Sequence, residues 1–299
     1  MNLEYLNTYL IVIREGSFSK AAKKLFLTQP AISAQIKKLE QEVGVRLIER
    51  GRTGVTMTPA GRTLLNFSEY VKHQYSYLLR DIANSKDKTL EELTIITSPV
   101  CGEYVLPGIL NEYRETHALS GANIKIADSI KVVEDVQNGI YDIGSCGIMV
   151  ESSGLEIFKI AEYDIVLILY PGHPLSDKKE VLLSDLSGES IVLREPLGVK
   201  VGDTKMLTEA GLDLYEFKQR FVTGSMAGLL SLVESRAGIA FLPYMIAKKG
   251  EALGLIKIAK VKEINLKREY IFLIKKGKER SRVSNEFMDF IKTKTIHKE

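Results

Sequence analysis

Leu27-Thr28-Gln29-Pro30-Ala31-Ile32-Ser33-Ala34-Gln35-Ile36-Lys37-Lys38-Leu39 decides how the first part of this 299-residue chain folds. Thr28 is a residue type that caps helix N-termini, and Pro30 falls in the first turn, where a missing N–H leaves no hydrogen bond unmade. From there Ile32, Ile36, Leu39 and Val43 recur at steps of four, three and four, one face of a helix, and Gly44 stops the run. Upstream, Leu3, Leu6, Leu10 and Ile13 form a similar stripe ending near Gly16. Ser17 then opens a short helix through Phe26, with Ala21, Ala22 and Leu25 inward. Three short helices with a tight turn before the third describe a helix-turn-helix.

In that motif the N-terminal side chains of the third helix meet base edges. Gln29, Ser33, Ala34 and Lys37 lie off the buried stripe. Gln makes a bidentate contact with adenine, and Ser bonds several bases. Beyond Val45-Arg46-Leu47-Ile48, the run Arg50-Gly51-Arg52-Thr53-Gly54-Val55-Thr56 reads as a β-wing, its arginines set to meet phosphate or the minor groove. Charge runs the same way. The net charge is only +3, but residues 1–65 carry ten Lys and Arg against five Glu, a head of +5 on a body of −2. Any helical bundle has such stripes, and most surface lysines merely solvate it. Their order, from helix to wing, points to DNA.

Thr58-Pro59 repeats the cap-then-proline signal and opens a long helix running to about Ser85. Leu64, Phe67, Val71, Tyr75, Leu78 and Ile82 form a stripe longer than a small winged domain covers. A homodimeric, coiled-coil-like contact is expected, which would set two reading heads on two half-sites. Asn84-Ser85-Lys86-Asp87-Lys88 then reads as a polar hinge.

From Leu93 the pattern changes to short apolar runs separated by helices. Leu93–Thr97, Ile124–Ala127, Ile143–Ser145, Ile165–Tyr170, Ile191–Leu193, Phe221–Thr223, Ile239–Leu242 and Tyr270–Ile274 are strand-like, with helical stretches such as Val105–Glu115, Val132–Asn138, Lys205–Glu209 and Met226–Ser235 between them. The alternation predicts parallel α/β sheets. The expected division is a winged head at 1–58, a linker and hinge at 59–89, and a body at 90–299. Within the body, lobe I is 90–163 plus 269–299 and lobe II is 164–268. Ligands of such sheets bind at strand-to-helix corners. The candidate lining is Ser98, Val100, Cys101, Ser129, Ser145, Cys146, Arg194, Glu195, Thr223, Gly224 and Ser225, with Asp128 beside Ser129. These groups suit a small polar or anionic ligand.

Phe18-Ser19-Lys20-Ala21-Ala22, Leu27 to Ser33, Ile36-Lys37-Lys38-Leu39-Glu40, Gly44 to Arg50, and Met57-Thr58-Pro59-Ala60-Gly61 together resemble the LysR-type transcriptional regulators. The resemblance implies that Gln29, Pro30 and Ser33 lie at the DNA, with Arg50 and Arg52 in the wing beside Thr53. Ala34 stands where many members carry arginine, so a common base or phosphate contact is absent. The body is similar to the family's periplasmic-binding-protein-like pair of effector lobes, through Gly102 to Pro107, Asn138 to Gly144, Gly172-His173-Pro174-Leu175 and Gly238 to Pro243. Val192-Leu193-Arg194-Glu195-Pro196 and Gly224-Ser225 look like the branch containing activators of sulfite-reductase and carbon-fixation operons. Leu197 to Val201 replace small and hydroxyl residues, and Pro99, Val100 and Met226 stand where threonines are frequent. A partly apolar ligand is therefore open beside an oxyanion.

Composition bounds the alternatives. At 45% hydrophobic and 26% charged, with 8 Pro and 23 Gly, the chain is neither collagen-like nor wholly disordered. No apolar run reaches the roughly 18 residues of a membrane helix. Met1-Asn2-Leu3-Glu4 has no signal-peptide character, so a cytoplasmic location is expected. Histidines 73, 117, 173 and 297 show no metal spacing, and no phosphate loop or nucleophile elbow is present. No enzyme activity, cofactor or metal is expected. A rival reading is a thiol redox sensor: Cys101 and Cys146 sit at corners of one cleft, where a helix N-terminus would lower a thiol pKa. The favoured expectation is an α-helical winged head, a linker helix and a two-lobed α/β body. Its partners are promoter DNA, a small-molecule effector, further copies forming a dimer and then a homotetramer, and RNA polymerase, with no membrane. Activation is the expected output.

Overall fold

The computed structural model of the chain describes residues 2–51, 54–84, 92–147, 152–178, 180–195 and 203–294. It divides into two compact units, Met1–Glu91 with Gln137–Tyr141, and Glu92–Val136 with Asp142–Glu299. Among the described residues no helix is long and apolar enough to cross a membrane.

The first unit begins with α1 (Leu3–Glu15), α2 (Phe18–Leu25) and α3 (Gln29–Val43). A hairpin of β1 (Ile48–Gly51) and β2 (Gly54–Met57) follows, then the 26-residue α4 (Pro59–Asn84). The caps are local. Ser17 Oγ accepts from Lys20 N at 3.4 Å and Thr28 Oγ1 from Ala31 N at 3.3 Å. Helices α1 and α3 end on left-handed Gly16 and Gly44, whereas α2 ends on Phe26, a left-handed residue at φ 55 whose ring is 96% exposed.

The core of this unit joins Leu6, Tyr9 and Val12 of α1 to Ala21 of α2 and to Ile32, Ile36 and Leu39 of α3. The α1 stripe is rotated from its expected position. Leu3 is exposed and Ile13 half-buried, while Tyr9 and Val12 are fully buried, because α1 meets α4 as well as α2 and α3. Tyr9 donates its hydroxyl to Gly61 O at 2.8 Å. A Cβ at Gly61 would stand 2.1 Å from Leu47 O, so this close seating of α4 requires glycine.

In the second unit the elements are β3 (Glu92–Thr97), α5 (Leu106–Thr116), β4 (Gly121–Ile126), α6 (Ser129–Gln137), β5 (Ile143–Cys146), β6 (Leu155–Leu169) and β7 (Ser190–Arg194). There follow α7 (Asp203–Glu209), β8 (Gln219–Thr223), α8 (Met226–Glu234), β9 (Ala240–Pro243), α9 (Tyr244–Ala252), β10 (Lys257–Ala259), β11 (Lys267–Lys275) and α10 (Arg282–Lys294). Lobe I is the sheet β4-β3-β5-β11-β6. In lobe II the second half of β6 lies between β9 and β10, and the parallel pair β7-β8 joins through an Ile191–Ile239 bridge.

The sheets are mixed rather than parallel. β3 runs parallel to β4 and β5, but β11 is antiparallel to β5 and β6. The reason is connectivity: β6 leaves lobe I, the chain builds lobe II, and β11 comes back beside β6 in the opposite direction. β6 is also longer than the apolar run Ile165–Tyr170 suggests. It starts at Leu155 and pairs through Asp164 with β11, then switches partners to β9 at Ile165. Each lobe has its own core. Phe272, Phe287, Tyr113 and Leu106 anchor lobe I, and Leu167, Ile191, Phe241 and Leu212 anchor lobe II.

Candidate functional site

In the first unit the candidate surface is the start of α3. Gln29, Pro30 and Lys37 are exposed and Ser33 is half-buried, one turn outside the Ile32–Ile36–Leu39 stripe. Ser19 of α2 donates its hydroxyl to Gln29 Oε1 at 2.8 Å and so orients that amide. Thr8 of α1, itself buried, donates to Gln35 Oε1 at 2.6 Å and fixes α3 from behind. Glu40 Oε1 accepts from Leu47 N at 2.8 Å and Ile48 N at 3.3 Å, which ties the start of β1 to α3. Thr58 adds a bond from its Oγ1 to Arg46 O at 2.8 Å. The hairpin therefore stands at a fixed place beside α3. Arg50 lies on β1, while Arg52 and Thr53, at its tip, fall outside the described residues.

The α4 stripe splits in two. Leu64 is buried and Val71 half-buried in the unit's own core, whereas Phe67, Tyr75, Leu78 and Ile82 are exposed by 44 to 58%.

The second unit holds a cavity of about 360 Å³ at the meeting of its two lobes. Lobe I contributes the β3-α5 corner at Ser98, Pro99 and Val100, and the β4-α6 corner from Ile126 to Ile130. Lobe II contributes Arg194, Met206, Gly224, Met226 and the β9 segment Phe241–Pro243. Ile165, Arg268 and Tyr270 come from the two strands that run between lobes. A π-helical turn, Cys101–Val105, brings the β3-α5 corner close to the sheet. Gly102 makes that approach possible, since a Cβ there would lie 2.5 Å from Ile126 Cδ1.

Of the expected lining residues, Ser98, Val100, Ser129, Arg194 and Gly224 come together on this cavity. Cys101, Ser145 and Cys146 are buried a layer behind it. Ser225 caps α8, its Oγ accepting from Gly228 N at 3.0 Å, and Thr223 Oγ1 accepts from Ser225 N at 3.4 Å. Glu195 bonds back to β8 through its N–H to Thr223 O at 2.9 Å, and its carboxylate accepts from the Thr204 hydroxyl. Asp128 caps α6, its Oδ1 accepting from Lys131 N at 2.9 Å. These are structural duties, performed at the corners where ligand contacts were expected.

Arg268 and Tyr270 are the cleft residues that corner reasoning misses, because they lie within a strand. Their signal is topological: a strand connecting two lobes must pass the floor between them. Arg268 Nη1 donates to Gly147 O at 3.1 Å, and Nη2 to the Met206 thioether at 3.3 Å. The Tyr270 hydroxyl is buried with no hydrogen-bond partner. Burial pushes its pKa up, while the Arg268 and Arg194 charges act the other way.

Cys101 does not have the lowered pKa expected of a thiol at a helix N-terminus. Burial pushes the Cys101 pKa up to about 11, outweighing hydrogen bonds from the Ser98 and Ser145 side chains. A thiol so held stays protonated at neutral pH.

Compared with known proteins, residues 3–62 match the family model described as bacterial regulatory helix-turn-helix protein, lysR family. Residues 86–295 match the LysR substrate binding domain. The chain is 29% identical over 277 residues, 91% of this chain and 92% of the relative, to an uncharacterised HTH-type transcriptional regulator of Methanocaldococcus jannaschii. It is 27% identical over 298 residues, 97% of this chain and 93% of the relative, to a probable RuBisCO transcriptional regulator of Porphyra purpurea. The crystal structure of full-length CbnR complexed with its target DNA has the same fold, with a TM-score of 0.73 at 20% identity over 99% of this chain and 100% of that one.

Proposed function

From the premise that the chain belongs to the LysR family, and is a DNA-binding transcriptional regulator with an effector-binding domain rather than an enzyme, we propose which of its residues do the work. Gln29, Pro30, Ser33 and Lys37 read operator DNA in the major groove, and Arg50, Arg52 and Thr53 of the wing hold the backbone beside it. The observation that carries this reading is the exposed first turn of α3, where Ser19 holds Gln29, with Thr8 holding Gln35 further along the helix. A reader held so firmly keeps its side chains in register with base edges.

Two copies join through the α4 face that carries Phe67, Tyr75, Leu78 and Ile82, with Leu64 and Val71 at its head end. The bodies assemble the dimers into a tetramer. A metabolite in the cleft of the second unit favours one placement of the lobes, and so one spacing or bend of bound DNA. Ligand and DNA geometry then bias each other equally. Promoter binding, contact with RNA polymerase, activation and a cytoplasmic location belong to this reading. Similarity to the relative named a probable RuBisCO transcriptional regulator supports a metabolic operon as the target.

Footprinting of the full-length protein on DNA upstream of its own gene and its neighbours tests the proposal. Protection of two half-sites, about 10 base pairs or a multiple apart, is expected. Leu78→Glu should abolish paired protection and halve the mass in solution. Equal protection of scrambled DNA, or an unchanged mass for the variant, would refute it.

A further inference from the structure

We infer that the cleft of the second unit takes a small, largely apolar monocarboxylate, bound between Arg194 and Arg268 with the Tyr270 hydroxyl as a third donor. The inference rests on reading that cleft as the effector site. Size sets the first limit. A cavity of about 360 Å³ equals the liquid volume of about a dozen waters at about 30 Å³ each, which suits a ligand of about ten non-hydrogen atoms.

Charge sets the second. Among the described lining residues two arginines, Arg194 and Arg268, stand against one carboxylate, Asp128, an excess of one positive charge. Asp128 is already engaged as the cap of α6. Its charge opposes a second anionic group on the ligand. At the α6 and α8 N-termini, of a kind that in other proteins cradles phosphate or sulfate, the protein's own Asp128 and Ser225 oxygens each take one N–H.

The walls set the third. Ile126, Ile130, Met226 and Phe241 surround the charged end with hydrocarbon, which repays an apolar body and penalises a polar one. Tyr270 lines the cavity, and its hydroxyl is buried with no hydrogen-bond partner. A buried donor left unmade is a standing cost that a ligand oxygen removes. Arg268 is held by its bond to Gly147 O, while among the described residues its Nη2 donates to a thioether, a weak acceptor that a carboxylate oxygen displaces with gain.

The test is a calorimetric and thermal-shift series on the full-length protein with phenylacetate and 4-methylpentanoate. Phenylacetamide, succinate, sulfate and phenylalanine are the rival probes. Both monocarboxylates should raise the Tm at about 10 mM, and phenylacetate should bind at least about 30-fold more tightly than its neutral amide. Tyr270→Phe should leave the ligand-free Tm unchanged or higher, since it removes an unsatisfied hydroxyl, and weaken phenylacetate about tenfold. Arg268→Gln should weaken it by more.

An amide that binds as tightly, a rival anion or zwitterion that binds better, no binding by any probe, or a Tyr270→Phe protein with undiminished affinity overturns the inference. Met226→Trp separates the two levels, because it fills the cleft. If a rival probe binds and Met226→Trp abolishes it, the cleft remains the effector site and only the ligand class is wrong. If the monocarboxylates bind Met226→Trp undiminished, the cleft reading falls and the inference with it.

Discussion

Removing the Ser19 hydroxyl should weaken operator binding although Ser19 makes no base contact of its own. Its Oγ donates to Gln29 Oε1 at 2.8 Å. With one lone pair so engaged, the amide keeps one acceptor site and two donors, which is what a bidentate adenine contact uses. Ser19→Ala leaves the Gln29 side chain free to rotate. An exposed neutral hydrogen bond is worth about 1 kcal/mol, so operator affinity should fall about fivefold. Gln29→Ala removes the contact itself, at about 1–3 kcal/mol. Because Ser19 works through Gln29, the double variant should match Gln29→Ala, a coupling of about 1 kcal/mol. Binding to a scrambled duplex, carried by phosphate contacts, should be unchanged in all three proteins, as should the salt slope. Anisotropy titrations with labelled operator and scrambled DNA between about 50 and 200 mM salt measure all of these. Equal losses on both duplexes, or Ser19→Ala and Gln29→Ala effects that simply add, would refute the reasoning.

Three further outcomes follow from other parts of the molecule. Phe26→Asn should stabilise the first unit by about 1 kcal/mol, because asparagine tolerates the left-handed backbone that Phe26 occupies at φ 55; a lower urea midpoint would contradict this. Asp142, buried in the second unit, holds Lys278 Nζ at 2.8 Å and accepts from Ser284 Oγ at 3.2 Å. Asp142→Ala should destabilise by about 3 kcal/mol, with most of the loss recovered in Asp142→Leu/Lys278→Met, and calorimetric melting reads both. Cys101 should resist thiol reagents until the protein unfolds. Its folded pKa of about 11 lies above the ordinary 9.0, so the stability it contributes below pH 9 is lost as pH rises towards 11. Cys101→Ser should flatten that alkaline limb, and Cys101→Ser/Cys146→Ser should keep its ligand response.

Short-range chemistry was the legible part. Ser17, Thr28, Pro30 and Gly44 mark helix ends through their own backbones, and the observed helices start and stop beside them. Long-range pairing was not. The segment Leu155 to Tyr163 is charged and only half-buried, and is a strand because β11 lies against it. α10 carries Val283, Phe287, Met288 and Ile291 inward at helical spacing, a stripe that periodicity alone could have found. In the cleft, corner logic reaches Ser98, Val100, Ser129, Arg194 and Gly224, which their own turns position. Arg268 and Tyr270 enter through topology, and the raised pKa of Cys101 comes from burial that no local pattern encodes.

The two strands shared between lobes I and II make their junction a flexure rather than a hinge. A hinge is a loop that turns at little energetic expense; β6 and β11 remain hydrogen-bonded to each other from Leu155–Lys275 to Asp164–Lys267. Such a ribbon bends elastically and returns. Its one irregularity, a register shift between Tyr270 and Ile271, falls at a residue that lines the cleft. On the proposed effector reading, a ligand would press on the spring at its notch, and each lobe would act as a lever arm that enlarges the displacement at its far edge. Substitutions on the cleft walls would retune what is sensed, while the stiffness of the ribbon sets how far the signal travels.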